Sequence, residues 1–137
     1  MTFKDYINSE MINWLQAYNL KFKTADINLE KGALYLIFND NYCVKIYDQL
    51  GHGFGVTVNI TDNYDESIYE NDRFNISWAF KYFKITDEAS FESRTEKQYQ
   101  KNLPYLINDL KILIPQLNLL TFQEWNEMKE WINTKTK

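Results

Sequence analysis

The chain has 137 residues, 45% of them hydrophobic and 17% aromatic, which suits one domain with a core large enough to fold without staples. Its net charge of −4 argues against nonspecific nucleic-acid binding, which needs a basic surface, and against docking on anionic membranes. A single cysteine, Cys43, cannot make an internal disulfide, and no apolar run reaches the ~18 residues of a membrane span, so a cytoplasmic setting is expected.

Taken in order, Thr2 to about Asn19 reads as a helix. Phe3, Ile7, Met11, Trp14, Leu15 and Tyr18 share one stripe, Thr2 stands at the cap position and Asp5 falls in the first turn. The opening MTFKDYINSEMINW lacks an apolar core, so it is not read as a secretory signal. Lys21–Glu30 has weaker patterning, and an edge strand is expected around Asp26–Glu30 before Lys31-Gly32.

Ala33–Phe83 reads as an antiparallel sheet. Leu34, Leu36 and Phe38 alternate with Tyr35 and Ile37, and after an Asp40-Asn41 turn Tyr42, Val44 and Ile46 alternate with Cys43, Lys45 and Tyr47. Gly51, Gly53 and Gly55 gather at the next turn. Phe54, Val56, Val58 and Ile60 then alternate with polar or small residues. A fourth strand is expected over Phe74–Phe83, where Phe74, Ile76, Trp78, Phe80 and Tyr82 alternate with Asn75, Ser77, Ala79 and Lys81. The connections hold no helix, so the strands form a meander rather than parallel crossovers.

Thr95 to about Leu117 carries Tyr99, Leu103, Leu106, Ile107, Leu110, Leu113, Ile114 and Leu117 at helical spacing. Pro104 predicts a kink or a fresh start capped by Asn102, and Pro115 predicts the end. Thr121 and Glu124 spell a capping box, with Leu120 and Trp125 placed as a hydrophobic staple. The apolar stripe of this last helix is Phe122, Trp125, Met128, Trp131 and Ile132, and the tail Asn133–Lys137 is expected to fray. The fold class is therefore α+β. A four- to five-stranded antiparallel meander packs against an N-terminal helix and two C-terminal helices in a single domain, residues 1–137. Trp78, Phe80, Val56 and Val58 should face Trp125 and Leu110.

The candidates for chemistry fail one by one. One cysteine and one histidine, His52, cannot make a Cys/His zinc site. His52 lies between two glycines and reads as an exposed turn residue. The acidic stretch 62–72 has no glycine, so it does not match a calcium loop, and no metal or cofactor is expected. Cys43 alternates with core positions and reads as structural. Glu127-Met128-Lys129 has the letters of a nuclease motif, but on a helix residues two apart face different ways. Gly51-His52-Gly53-Phe54-Gly55 joins two strands and opens no helix onto an anion. Trp78, Phe80 and Tyr82 could stack bases on an exposed sheet, yet the helices need a face to cover. No enzymatic activity is expected.

What remains is binding. DNYDESIYENDR between the third and fourth strands carries Asp62, Asp65, Glu66, Glu70 and Asp72, with Tyr64 and Tyr69 interleaved. Carboxylates steer association and tyrosines anchor interfaces, so these seven residues form the expected partner-binding site. In layout the meander Leu34–Phe83, the acidic loop Asp62–Asp72 and the helix around Asn102–Leu117 with its LPYLINDL run resemble the small immunity proteins that bacteria encode beside polymorphic or contact-dependent toxins. The resemblance implies a protein that neutralises a cognate toxin. The acidic loop would suit a basic toxin domain, with no nucleic acid or membrane as partner. Other readings are a different small interaction protein, such as an adaptor or a phage-encoded antagonist, or a small-ligand or enzymatic domain.

Overall fold

A computed structural model describes residues 3–25, 32–49, 53–59, 73–86 and 95–136, with the side chains of residues 49, 53, 54, 59 and 73 outside the description. Five antiparallel strands, β1 Lys21–Thr24, β2 Ala33–Phe38, β3 Cys43–Gln49, β4 Gly53–Asn59 and β5 Arg73–Asn75, form one sheet in the order β1-β2-β3-β4-β5. The helical elements are α1 Phe3–Tyr6, a π-helical turn Ile7–Met11, α2 Ile12–Ala17, α3 Ile76–Phe83, α4 Glu96–Asn118 and α5 Phe122–Thr136. This is an α+β meander with an N-terminal helical segment and two C-terminal helices, and α3 in addition.

The register explains the core. Phe22, Ile37, Val44, Val58 and Phe74 pair strand to strand and make one apolar row across all five strands. Tyr35, Ile46 and Val56 make the neighbouring row. Both rows belong to the main core, which also takes in Leu110 and Trp125. The opposite face has its own smaller cluster of Ala25, Leu34, Leu36 and Cys43, with Phe38 and Tyr47 packed against it. The period-2 patterning of β2 and β3 thus sorts side chains between two apolar clusters, not between core and water. In the β2–β3 turn the Asn39 side chain accepts from the backbone N–H groups of Asn41, 2.8 Å, and Tyr42, 3.1 Å. Asn39 N also bonds to Tyr42 O at 3.1 Å, so an Asx-type turn opening at Asn39 closes the hairpin around the expected Asp40-Asn41 pair.

The N-terminal segment solves a geometric problem. Phe3, Ile7, Met11 and Leu15 recur every four residues and are all buried. With 3.6 residues per turn, each four-residue step drifts by ~40° around an α-helix. The wider π turn, with its i→i+5 bonding, takes up that drift and keeps the four side chains on the sheet. The segment ends with Asn19 at φ 57°, and Asn19 N and Leu20 N bond back to Gln16 and Leu15 carbonyls at 3.0 Å. This left-handed stop seats Leu20 against the core beside Leu15.

Several expectations are corrected. The fifth strand lies at Lys21–Thr24, earlier than Asp26–Glu30, and residues 26–31 fall outside the described residues. The expected strand Phe74–Phe83 pairs only through Asn75 and then becomes α3. Its apolar residues fit both periods. Alternation reads Phe74, Ile76, Trp78, Phe80 and Tyr82, but Ile76, Ala79, Phe80 and Phe83 also line one helical stripe. Local chemistry decides for the helix: the Asn75 side chain caps it by accepting from Ser77 N at 2.9 Å. Lys84 stops it at φ 57°, with Ile85 N bonded to Phe80 O at 2.9 Å.

α4 runs unbroken through Pro104 and Pro115, and its cap is Thr95 in a capping box with Gln98, not Asn102, which is buried within the helix. Neither proline has the N–H that would ordinarily bond the carbonyl one turn earlier, at Gln100 and Lys111. Both of these residues are half-buried, where water still reaches the flank. α5 opens on the expected box, Glu124 N to Thr121 Oγ1 at 3.2 Å and Thr121 N to Glu124 Oε1 at 3.0 Å. It stays helical to Thr136, so the tail does not fray before that point. Thr134 and Thr136 hydroxyls donate to Trp131 and Ile132 carbonyls there.

Candidate protein-binding face

α4 has two apolar sides. The inner side presents Leu103, Leu106, Ile107, Leu110, Leu113, Ile114 and Leu117, each at most 3% exposed. Burying such a side chain contributes about 1.5–3 kcal/mol. The outer side carries Tyr105, Ile112 and Leu119 at seven-residue spacing, exposed by 43%, 39% and 79%. Positions seven apart drift only ~20° around a straight helix, so these three form one line. Phe122, at the start of α5 and 82% exposed, extends the patch around the corner. The sequence reading placed Phe122 on the inner stripe of α5. The structure instead buries Trp125, Met128 and Ile132 there, leaves Trp131 half-buried, and turns Phe122 outward.

The corner is tied to the rest of the fold. Leu120 packs on the main core, and Leu120 N bonds to Leu117 O at 3.2 Å. The Asn118 side-chain oxygen accepts from Tyr42 Oη and Asn39 Nδ2, both at 3.4 Å, which fixes the end of α4 to the β2–β3 turn. Leu119 and Phe122 therefore project from a braced corner.

The ionised groups on α4 complete the picture. At 100° per residue Lys97, exposed, and Lys111, half-buried, fall on one flank of the Tyr105–Ile112–Leu119 line, and exposed Lys101 continues the line toward the start of the helix. Glu96 lies on the other side of the helix, where its carboxylate accepts from Gln100 Nε2 at 3.1 Å, and Asp109 is buried.

A second constellation sits at the other end of α4. Tyr99 Oη donates to Asp48 Oδ2 at 2.8 Å and accepts from Phe3 N at 3.3 Å, tying α4, β3 and α1 together. Burial pushes the Asp48 carboxyl above its ordinary range, and the Tyr99 hydrogen bond opposes that shift. Burial likewise raises Tyr99, helped by the bond to Asp48 and by its charge, and raises Tyr35, with the charges of Asp48 and Asp5 adding to it. Asp48 is only 8% exposed, so the constellation is a structural tie with little access for a substrate.

The remaining candidates fall as follows. Asp62, Tyr64, Asp65, Glu66, Tyr69, Glu70 and Asp72 lie outside the described residues, as does His52. Cys43 is fully buried in the smaller cluster. In Glu127-Met128-Lys129 the methionine is buried and the glutamate exposed, with Glu127 accepting from Gln123 at 3.3 Å. Phe80 is buried, while Trp78 and Tyr82 are half-buried and meet the Trp131 ring edge-on at 6.4 and 5.5 Å, joining α3 to α5. Lys81 Nζ lies 4.3 Å from the Trp78 ring centre. Among the described residues no three His, Cys, Asp or Glu groups come together as metal ligands, and no helix is long and apolar enough to cross a membrane.

Sequence reasoning missed the outer line of α4. Its seven-residue spacing was visible, but the denser inner stripe dominated the helical pattern. No protein-family model matches the chain, and no curated protein or solved structure matches it significantly.

Proposed function

We propose that the chain is a non-catalytic protein-binding protein of the immunity type, which neutralises a cognate bacterial toxin by engaging it through the outward face of α4 and the α4–α5 corner. The observation that carries this reading is the exposure of Leu119, 79%, in line with Ile112 and Tyr105 on α4, and of Phe122, 82%, at the corner beyond it. Large apolar side chains held out in water at a corner between two helices are the kind of anchor that protein interfaces use. The layout of meander and flanking helices, similar to small immunity proteins, supplies the toxin as partner.

The test is co-expression with the product of the neighbouring gene. A toxin partner should co-purify with the chain, and cells making both should survive where cells making the toxin alone do not. Leu119→Asp together with Phe122→Asp should abolish rescue while leaving the helical circular dichroism spectrum unchanged. Rescue that is indifferent to this pair, or a neighbouring product that neither harms cells nor binds, would overturn the reading.

A further inference from the structure

We infer that the outward face of α4 receives a helix of its partner whose apolar stripe is edged by carboxylates. This rests on the reading of that face as protein-binding and adds the shape and charge of what covers it. Shape comes from spacing. Tyr105, Ile112 and Leu119 recur every seven residues, the period at which one helix keeps a straight seam against another. Asn108 and Pro115 fall between them on the same side, so the seam continues over two heptad steps without a bulky obstruction.

Charge comes from the flank. Lys97 and Lys111 border the seam on one side and Lys101 stands at its N-terminal end, while the acidic residues of α4 are turned away or buried. On a protein with a net charge of −4, this is a local strip of positive sign. A lysine-edged partner helix would be repelled here, and a glutamate-edged one attracted, with register set by the lysine positions. The sign is opposite to that expected for a partner of the 62–72 stretch, so the two surfaces would contact different parts of a partner.

Two synthetic helical peptides serve as probes, with identical leucine seams at heptad positions a and d. One has glutamate at e and g, the other lysine. Binding to the full chain is followed by fluorescence anisotropy at two salt concentrations. The glutamate-edged peptide should bind roughly tenfold or more tightly than its twin, and the difference should shrink in high salt. Lys97→Glu with Lys101→Glu should reverse the preference, and Ile112→Asp or Leu119→Asp should remove binding of both peptides. Equal binding of the two peptides, binding of neither, or indifference to these substitutions would overturn the inference. So would a chain that is dimeric alone and made monomeric by Leu119→Asp, because a second copy would then be the occupant. A toxin that co-purifies equally well with the Ile112→Asp variant, yet is no longer neutralised when Leu119 and Phe122 are both changed to Asp, would sink this inference but leave the proposed function standing. Selective peptide binding without any neighbouring partner would do the reverse.

Discussion

The two sides of α4 hold the same kinds of side chain to opposite purposes. Leu110 and Ile112 are two residues apart, and one is fully buried while the other is 39% exposed. The inner leucines and isoleucines lie against the sheet, and their removal from water drives folding. The outer line contributes little to the isolated fold and leaves its apolar area in water, where the proposed partner would meet it. Residue type alone therefore does not separate a core position from a binding position. The position of each residue around the helix does.

The largest expected effect is on the inner side. Leu110→Ala or Leu113→Ala should destabilise the protein by about 2–5 kcal/mol, because the packed sheet cannot collapse into the space left behind. Urea unfolding reads this directly, and a cost below that range would mean that α4 is only loosely seated. Next comes the tie at the start of the helix. Tyr99→Phe removes the hydroxyl that meets Asp48 and Phe3, leaves a buried carboxylate without that donor, and should cost about 1–3 kcal/mol.

The same tie has a pH signature. The folded Asp48 carboxyl is raised above its ordinary 3.8, so the folded state holds the proton more tightly than the unfolded chain. Its stabilising contribution is then complete below the ordinary value and lost as pH rises through the folded one. Asp48→Asn should flatten that fall and be relatively more stable at neutral pH, as thermal melts between acid and neutral conditions would show. A variant whose stability falls with pH as steeply as the parent would place the titration elsewhere. The smallest effect belongs to the outer side: Ile112→Ser and Leu119→Ser should each change stability by no more than about 0.5 kcal/mol. A loss of several times that would make the outer line part of the fold and remove the contrast.

Legibility in the sequence followed local chemistry. β2, β3 and β4 were readable because period-2 patterning, polar turns and glycines agreed. The β5–α3 junction was not, because Phe74–Phe83 satisfies two periods at once. The helix is decided by Asn75 at its start and by Lys84, a residue without the usual glycine signal, at its end. α4 was readable in extent, but its prolines looked like boundaries because a string of letters does not show that their flank faces water. The site was the least legible part. Tyr105, Ile112 and Leu119 look like core residues until the inner face is seen to be full, and Phe122 looks like core until Trp125 is seen to occupy that place.

The rims of the sheet restrict how the molecule can be approached. Among the described strands, the two outermost are also the two shortest, β1 with four residues and β5 with three. β1 alternates exposed Lys21 and Lys23 with Phe22, and β5 passes at once into a helix. A short, lysine-studded or abruptly ended border offers a foreign strand few consecutive hydrogen-bonding groups, which is how natural sheets resist stacking into fibrils. A protein so rich in β-branched and aromatic residues would otherwise be a hazard at high concentration. With strand addition disfavoured at both rims, the chain can accumulate without templating its own aggregation.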